Sequence, residues 1–566
     1  MDLHDELIGL ADEYWDGLMA AYPTAATLLG DRRFDDRIED FSVEAEDRLR
    51  SSWSGLLAKL DALDVTQLNA DDRVTYGLLR RELATGIAGL ELRLTELACD
   101  QMDGVHAGYL TLAPQLNAPT QESAAALVER HRQMGTALDQ AIERFRAGLA
   151  AGRTPARLVV ERSLNQLDGY LASDLTDDPF VTLAGPEGEW DGEADWRDQL
   201  AAVAREVIRP AFQRYRDMLA SELAPAARPD DRCGLYWLDG AGGTASGSDG
   251  DAIYRTLIRQ HTTLDDLGAE KIHELGLAEL ERLRSEYADV GSRLFGTRDL
   301  AEIFGRLRDD PTLRYRTGDE IMADARRCLD AASAAMVDWF GRLPKTSCDI
   351  QPVPDFLAAD APAAYYFPPA SDGSRPGTYM VNRSQPEERN RYETASVAFH
   401  EAIPGHHLQL TIANELDHLP PFQRLSWGNT AFVEGWALYA ERLADEMGLY
   451  RDDLDRIGML AADSWRSCRL VVDTGLHALG WGRQQAIDFM ASHAPVGLEE
   501  IKVEVDRYVA IPGQALGYKV GQLEIRRLRH EAAHRHGPDF DVKLFHDRAL
   551  GSGSVSLPVL RDLLAA

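Results

Sequence analysis

The stretch SVAFHEAIPGHHLQL, residues 396–410, holds three histidines and one glutamate within eight consecutive positions. Apolar residues flank these positions on both sides, a pattern that predicts a helix in the protein interior. Imidazole and carboxylate groups are common zinc ligands, and a charged group in an apolar interior must be paired or bound. The stretch therefore predicts a metal site within a mainly helical core.

The spacing of the histidines requires a distorted helix. In an HExxH helix the two histidines share one face, but here Pro404 occupies the second position. His406 would lie about 240° around a regular helix from His400. Pro404 has no amide hydrogen for the carbonyl of His400, and Gly405 tolerates unusual dihedrals, so we predict a bulged or kinked turn that brings both imidazoles to one ion. His407 is the alternative ligand: it returns to the first face but lies about 10 Å further along the helix.

A third ligand is predicted downstream, in AFVEGWALYA, residues 431–440, where Glu434 is the only charged residue. Glu434 either binds the metal or pairs with an arginine, and Glu441 is the alternative ligand. Three protein ligands leave a position open for water on a zinc ion. Glu401, beside His400, is then the predicted general base.

An intact HExxH also occurs, from His530 to His534. Four arginines surround it and would repel a dication, no later glutamate could serve as third ligand, and a Gly-Pro stop follows. His273-Glu274 has no second histidine at a useful spacing. We therefore favour the site at His400.

Composition restricts the partners and the compartment. The chain has 93 acidic and 60 basic residues, a formal net charge of -33, which disfavours nucleic acid and anionic membranes as partners. The 5 cysteines are scattered and never in CxxC spacing, which favours a reducing compartment. Acidic residues near the N-terminus are atypical of a signal peptide, so the sequence predicts a cytoplasmic protein. A homo-oligomer is possible but cannot be inferred from the sequence.

The organisation predicted from periodicity is helical almost throughout. Helical spacing runs through residues 44–96, 119–150, 196–223 and 264–288, and resumes after residue 387. Residues 350–382 instead predict a loop leading to a short strand at Thr378–Val381. We divide the chain into an N-terminal helical lobe, residues 1–245, and a lobe carrying the zinc site, residues 246–566, at a Gly/Ser-rich segment.

Four motifs carry a resemblance to known families. With HEAIPGHH, FVEGWALYAERL, RLVVDTGLHALGW and PGQALGYKVG, the sequence resembles a large bacterial family of unknown function with an HExxPGHH signature. It is also distantly similar to the thermostable zinc carboxypeptidases. That resemblance implies a zincin-like, mainly α fold with two lobes around a substrate groove, a zinc ion and peptide substrates. His406 and Glu434 would then match the second and third ligands.

Further residues are assigned supporting roles. Tyr508 and Tyr518 are candidate donors to an oxyanion. Arg469, Asp473 and His477 share a helix face, either as a structural ion pair or to orient substrate or ligands. The predicted substrate-binding group comprises Tyr379 to Asn382, as an edge strand pairing with an extended peptide, and Arg507 and Lys519, which would meet a substrate carboxylate.

The sequence thus predicts a zinc-dependent peptide hydrolase, and the resemblance to the zinc carboxypeptidases implies carboxypeptidase action as one form of this activity. Two alternatives stay open. One is a helical binding protein with a degenerate or structural metal site, since HEAIPGH departs from HExxH. The other is a zinc hydrolase of non-peptide amides or esters, for which the same groups would suffice.

Overall fold

A computed structural model describes residues 2–186, 188, 190–238, 249–355, 358, 361–369, 375–426 and 428–565. The described residues form 24 α-helices and 3 strands, so the predicted mainly helical fold is confirmed. The helices before the sheet are α1 Leu3–Ala21, α2 Pro23–Leu28, α3 Val43–Asp61, α4 Ala70–Glu91, α5 Val105–Leu112, α6 Gln121–Ala150, α7 Arg157–Ala172, α8 Glu193–Val203, α9 Arg209–Met218, α10 Ala224–Ala226, α11 Asp249–Thr262, α12 Ala269–Phe295, α13 Leu300–Asp309 and α14 Gly318–Trp339.

The second half of the chain contains the sheet and the helices that carry the candidate site. The strands are β1 Cys348–Pro352, β2 Ala364–Phe367 and β3 Gly377–Val381. The helices that follow are α15 Glu393–Glu401, α16 His406–Asn414, α17 Pro421–Leu425, α18 Thr430–Glu446, α19 Asp453–Ala478, α20 Arg483–His493, α21 Leu498–Ala510, α22 Leu516–His536, α23 Val542–Leu550 and α24 Leu557–Ala565.

The strand predicted at Thr378–Val381 is confirmed, but its predicted position at a sheet edge is wrong. The strand order is β1-β3-β2, so β3 is central. It pairs in parallel with β1 and antiparallel with β2. Both edges of β3 are therefore hydrogen-bonded, and no row of free amide and carbonyl groups is left for a peptide. From the sequence, we predicted a loop where the structure has β2, and we did not predict β1.

Helices α18 and α22 pack with their backbones in direct contact. A Cβ placed on Gly435 would lie 2.4 Å from the Cα of Gly521, and a Cβ on Gly521 would lie 1.7 Å from the carbonyl oxygen of Ala431. Only glycine fits such positions, because any side chain would push the helices apart. This contact sets the distance between Glu434 on α18 and Tyr518 on α22.

Two large hydrophobic clusters form most of the core, and a third, small one contains Val353, Ala358 and Met380. One large cluster combines α1, α3 and α4 with most of the second half of the chain. The other large cluster combines α5 to α9 with α19, α20 and α21. Each large cluster joins residues from both sides of residue 245, which itself lies outside the described residues, so the division at 245 and the two-lobe arrangement stay predictions. In the described part of the chain, no helix is both long enough and apolar enough to cross a bilayer.

Candidate metal centre

His400 lies in the last turn of α15, and the chain leaves the helix directly after Glu401. Ala402 has φ −101° and ψ −104°, and Gly405 has φ −81° and ψ −127°, neither of which is helical. The Ile403–Pro404 peptide bond is cis. We predicted one kinked helix, whereas the histidines lie on two helices joined by a short link. Pro404, which cannot donate to the helix, accounts for the break.

The link folds back onto the end of α15. A Cβ on Gly405 would lie 1.8 Å from the carbonyl oxygen of His400, so this position requires glycine. The amide of His407 donates to the carbonyl of Ala402 at 3.0 Å. The indole of Trp436 on α18 donates to the carbonyl of Pro404 at 3.0 Å. These contacts bring the first imidazole of α16 beside that of α15.

His400, His406 and Glu434 converge, and each offers a ligand atom within 4.8 Å of the other two. The Oε2 atom of Glu434 is 3.4 Å from Nε2 of His400 and 3.5 Å from Nε2 of His406. Ligands about 2.0–2.2 Å from a tetrahedral zinc ion lie roughly 3.3–3.6 Å apart. The Oε2 atom is buried and has no hydrogen-bond partner among the described residues. These two distances and the unpartnered carboxylate oxygen are compatible with a single zinc ion between the three side chains.

Glu441, the alternative third ligand, instead contacts His400 at Nδ1, the ring nitrogen that is not near Glu434. Its Oε1 atom accepts from Nδ1 of His400 at 2.8 Å, and its Oε2 accepts from the Ser396 hydroxyl at 2.5 Å. Because a carboxylate can only accept, Nδ1 carries a hydrogen, which leaves Nε2 as the ring nitrogen that a metal ion could bind. A carboxylate behind a histidine is the usual second layer of a zinc site. Nδ1 of His406 is buried and has no such partner within the described chain.

The charges of the cluster are strongly coupled. Burial lowers the pKa of His400, but its contacts with Glu434 and Glu441 outweigh burial and raise the pKa to about 9. Burial raises the pKa of Glu434, while the contacts with His400 and His406 outweigh burial and hold it well below its usual value. Glu434 is therefore an anion in this environment, as a metal ligand must be.

Glu401 and Tyr518 border the cluster. Glu401 is half-buried at the end of α15. Burial raises the pKa of Tyr379, and the charge of Glu401 raises it further. Burial likewise raises the pKa of Tyr518, with a further contribution from the carboxylate of Glu434. Glu401 is thus the sequence neighbour of one candidate ligand, and Tyr518 is within electrostatic reach of another, Glu434.

A network of charged side chains continues from Tyr518. The guanidinium of Arg469 lies over the Tyr518 ring, 4.4 Å from its centroid. Its Nη2 donates to Glu504 at 3.1 Å, and Arg507 donates to the same carboxylate at 3.0 Å. Two guanidinium groups therefore share one carboxylate. Nη1 of Arg469 is buried without a hydrogen-bond partner in the described part of the chain.

The family profile described as "Bacterial protein of unknown function (DUF885)" matches residues 23–564. The chain belongs to DUF885. No curated protein sequence matches it significantly. A crystal structure described as "putative lipoprotein" from Colwellia psychrerythraea is 26% identical, with a TM-score of 0.87 over 99% of this chain and 98% of that one. A "putative lipoprotein of unknown function" from Shewanella oneidensis shares the fold at 19% identity, with a TM-score of 0.76 over 98% of this chain and 99% of that one.

Several residues that we assigned to the site have other contacts in this DUF885 chain. His407 is buried, and its Nδ1 pairs with the Tyr366 hydroxyl at 2.8 Å, outside the cluster. Burial lowers the pKa of His407 to about 4. The hydroxyl of Tyr508 is buried and donates to Glu504 at 2.7 Å, so it is engaged away from the candidate ligands.

The predicted substrate-binding residues are mostly held by internal contacts. Lys519 is fully buried, is 3.0 Å from Glu279, and donates to Asp463. Asn382 donates to the carbonyls of residues 358 and 361. His477 accepts from the amide of residue 235 and pairs with the carbonyl of residue 508, while Asp473 accepts from Tyr254 at 2.6 Å. These four side chains therefore stabilise the fold instead of facing a ligand.

The competing HExxH lies on the exposed end of α22, where His530 and His534 are both exposed. The sequence prediction missed the supporting role of Ser396, which donates to Glu441 behind His400. Ser396 precedes His400 by four residues, one helical turn, and this spacing was a signal that we did not use.

Proposed function

We propose that this DUF885 chain is a zinc-dependent hydrolase of peptide bonds that holds one ion through His400, His406 and Glu434. The observation that carries the proposal is the separation of 3.4 and 3.5 Å between the carboxylate and the two imidazoles. Structural zinc sites use four protein ligands, whereas catalytic sites keep a position open. In the described ranges, no fourth His, Cys, Asp or Glu joins the cluster. This favours a catalytic site over a structural one.

The chain supplies the proton transfer and the charge stabilisation. When bound, zinc would act as a Lewis acid towards a carbonyl group and a water molecule. Glu401, adjacent to His400, accepts the proton of the attacking water and returns it to the leaving amine. The Tyr518 hydroxyl, close enough to Glu434 to feel its charge, donates to the oxygen on which negative charge develops.

We further propose that the substrate carries a free carboxylate, which Arg469 binds. Arg469 and Arg507 both donate to the carboxylate of Glu504. Nη1 of Arg469 is a buried donor that lacks a partner in the described chain, and such a donor is costly unless a ligand satisfies it. A C-terminal carboxylate beside the cluster would make the chain a carboxypeptidase, as its distant resemblance to the thermostable zinc carboxypeptidases implies.

The test combines metal content with hydrolysis. Purified wild-type protein should contain about one zinc per chain and should cleave peptides with a free C-terminus faster than C-terminally amidated ones. Glu401→Gln should retain the zinc and lose hydrolysis by about 100-fold or more, because general-base catalysis contributes 10²–10⁴-fold. Glu388→Gln is the matched control, since Glu388 is exposed before α15. A Glu401→Gln protein that keeps full hydrolysis would contradict the proposal.

The cytoplasmic location predicted from the sequence is also a proposal. All 5 cysteines are free, as expected in a reducing compartment. The names of the two structural relatives favour attachment to a membrane instead. Fractionation of cells that express the native gene, with detection of the protein in the soluble or membrane fraction, decides between the two.

A further inference from the structure

A cavity of about 490 Å³ lies between helices α1 to α4 and the segment that precedes α18. Aromatic side chains form much of its wall: Tyr14, Trp15, Tyr22, Trp53 and Phe422. None of the candidate zinc ligands lines it. Its volume is typical of sites for small molecules.

One carboxylate in the wall forms no salt bridge with any residue that the structure describes. Glu82 on α4 lines the cavity, and it makes no ion pair or hydrogen bond with the described residues. A Cβ on Gly428 would lie 3.6 Å from both of its oxygens, so the carboxylate faces the segment before α18. Burial raises the pKa of Glu82, and the neighbouring Arg81 offsets only part of this effect.

The other charged groups of the cavity are engaged elsewhere. Arg81 donates to the carbonyl of Arg259 at 2.7 Å. Glu46 is 2.8 Å from Arg93 and 2.6 Å from Arg144. The carboxylate of Glu82 is therefore the uncompensated charge of the cavity within the described chain, and it is negative.

The aromatic walls suit a cation. The Tyr14 ring packs against Trp53 at 5.8 Å and against Phe422 at 5.9 Å between centroids. The faces of such rings are electronegative and attract ammonium and guanidinium groups. We propose that this cavity binds an organic cation, an ammonium or guanidinium group on a short aliphatic stem, with Glu82 as its counter-ion.

The cavity and the candidate metal centre are connected through α18. Asn429 lines the cavity and is the residue directly before α18, so Glu434 follows about one helical turn later. The cation could thus be a basic side chain of the substrate or a separate amine. Binding of the cation does not depend on hydrolysis, so it can be tested apart from the proposed function.

The probe is n-butylammonium, which has the length and charge of a lysine side chain, and 1-butanol is its neutral counterpart. Calorimetric titration of the wild-type protein should detect n-butylammonium and should give an affinity about tenfold or more above that of 1-butanol. Glu82→Gln should weaken n-butylammonium binding by about tenfold, the lower range for a charge-assisted contact. Glu91→Gln on the same helix is exposed and should leave it unchanged.

Thermal unfolding of each variant checks that the fold is intact. Equal binding of n-butylammonium by wild-type and folded Glu82→Gln protein would overturn the proposal, as would wild-type protein that binds neither probe. A second assay compares peptides containing lysine with peptides containing norleucine. A preference for lysine that Glu82→Gln abolishes would support the site and identify a substrate side chain as the cation. Binding of n-butylammonium without that preference would support a site for a separate amine.

Discussion

Replacing Glu441 by glutamine is predicted to weaken zinc binding without removing a ligand. The carboxylate accepts from Nδ1 of His400 at 2.8 Å and is 1% exposed, so salt and water screen its charge poorly. Glutamine keeps the shape, and its carbonyl oxygen can still accept from Nδ1. The substitution removes the negative charge that makes the imidazole a stronger electron-pair donor to a bound metal ion.

The expected loss of zinc affinity follows from the contact of Glu441 with the candidate ligand His400. Loss of a second-layer carboxylate weakens metal binding by about 10–100-fold, which corresponds to about 1.4–2.7 kcal/mol. Glu441→Gln also removes the negative charge 3.8 Å from the partly buried Arg466 side chain, so some loss of fold stability should accompany the loss of affinity. Glu441→Ala should lie at the upper end of the range, because Nδ1–H would then be left without an acceptor.

The assay is competition for zinc between the apo-protein and a chromophoric chelator, with unfolding followed separately. Glu446→Gln is the matched control on the same helix, because Glu446 is exposed and pairs only with Arg529 among the described residues. Hydrolysis at saturating zinc should recover most of its wild-type rate in Glu441→Gln, which separates a positioning role from a catalytic one. Zinc affinity within a factor of two of wild type would refute the reasoning.

Four further predictions follow from individual contacts. Gly405→Ala should lower the free energy of unfolding by several kcal/mol and displace the second imidazole, because its Cβ would lie 1.8 Å from a backbone oxygen; denaturation and zinc titration measure both effects. Arg469→Lys should raise KM for peptides with a free carboxylate by about tenfold and leave KM for amidated peptides unchanged, and equal effects on both would contradict the assignment. Burial lowers the pKa of His477 to about 4. Because this is below the unfolded value of about 6.5, stability should fall as the pH drops from about 6.5 to about 4, and denaturant titrations should show a smaller fall in His477→Gln. Replacing both exposed histidines of the HExxH, His530 and His534, by alanine should change neither zinc content nor hydrolysis.

The helical fold could be predicted from the sequence because helical periodicity is local. The same reasoning found the strand at Thr378–Val381 but not its neighbours, since β1 and β2 pair with it across segments that read as loop. Sheet order depends on contacts between distant residues, which periodicity does not contain. The error about the edge strand has this origin.

The candidate ligands were predictable because each is a polar residue in an apolar context. His400, His406 and Glu434 are brought together, although by two helices where we predicted one bent helix. Local patterns could not separate Glu434 from Glu441, which lie two turns apart on α18. Glu434 lies near Nε2 of His400, whereas Glu441 lies near Nδ1. Only the three-dimensional arrangement shows which carboxylate is the candidate ligand and which one supports the ring.

The glycine contact between α18 and α22 limits how far the two helices can move when neighbouring residues are substituted. Because main-chain atoms of the two helices touch, their spacing cannot adjust when side chains around them are exchanged. The carboxylate on one helix and the phenol on the other therefore keep their separation while residues along the rest of both helices change. Relatives that retain both glycines should therefore keep the relative positions of the two groups that we propose to act in hydrolysis, even where the surrounding residues differ.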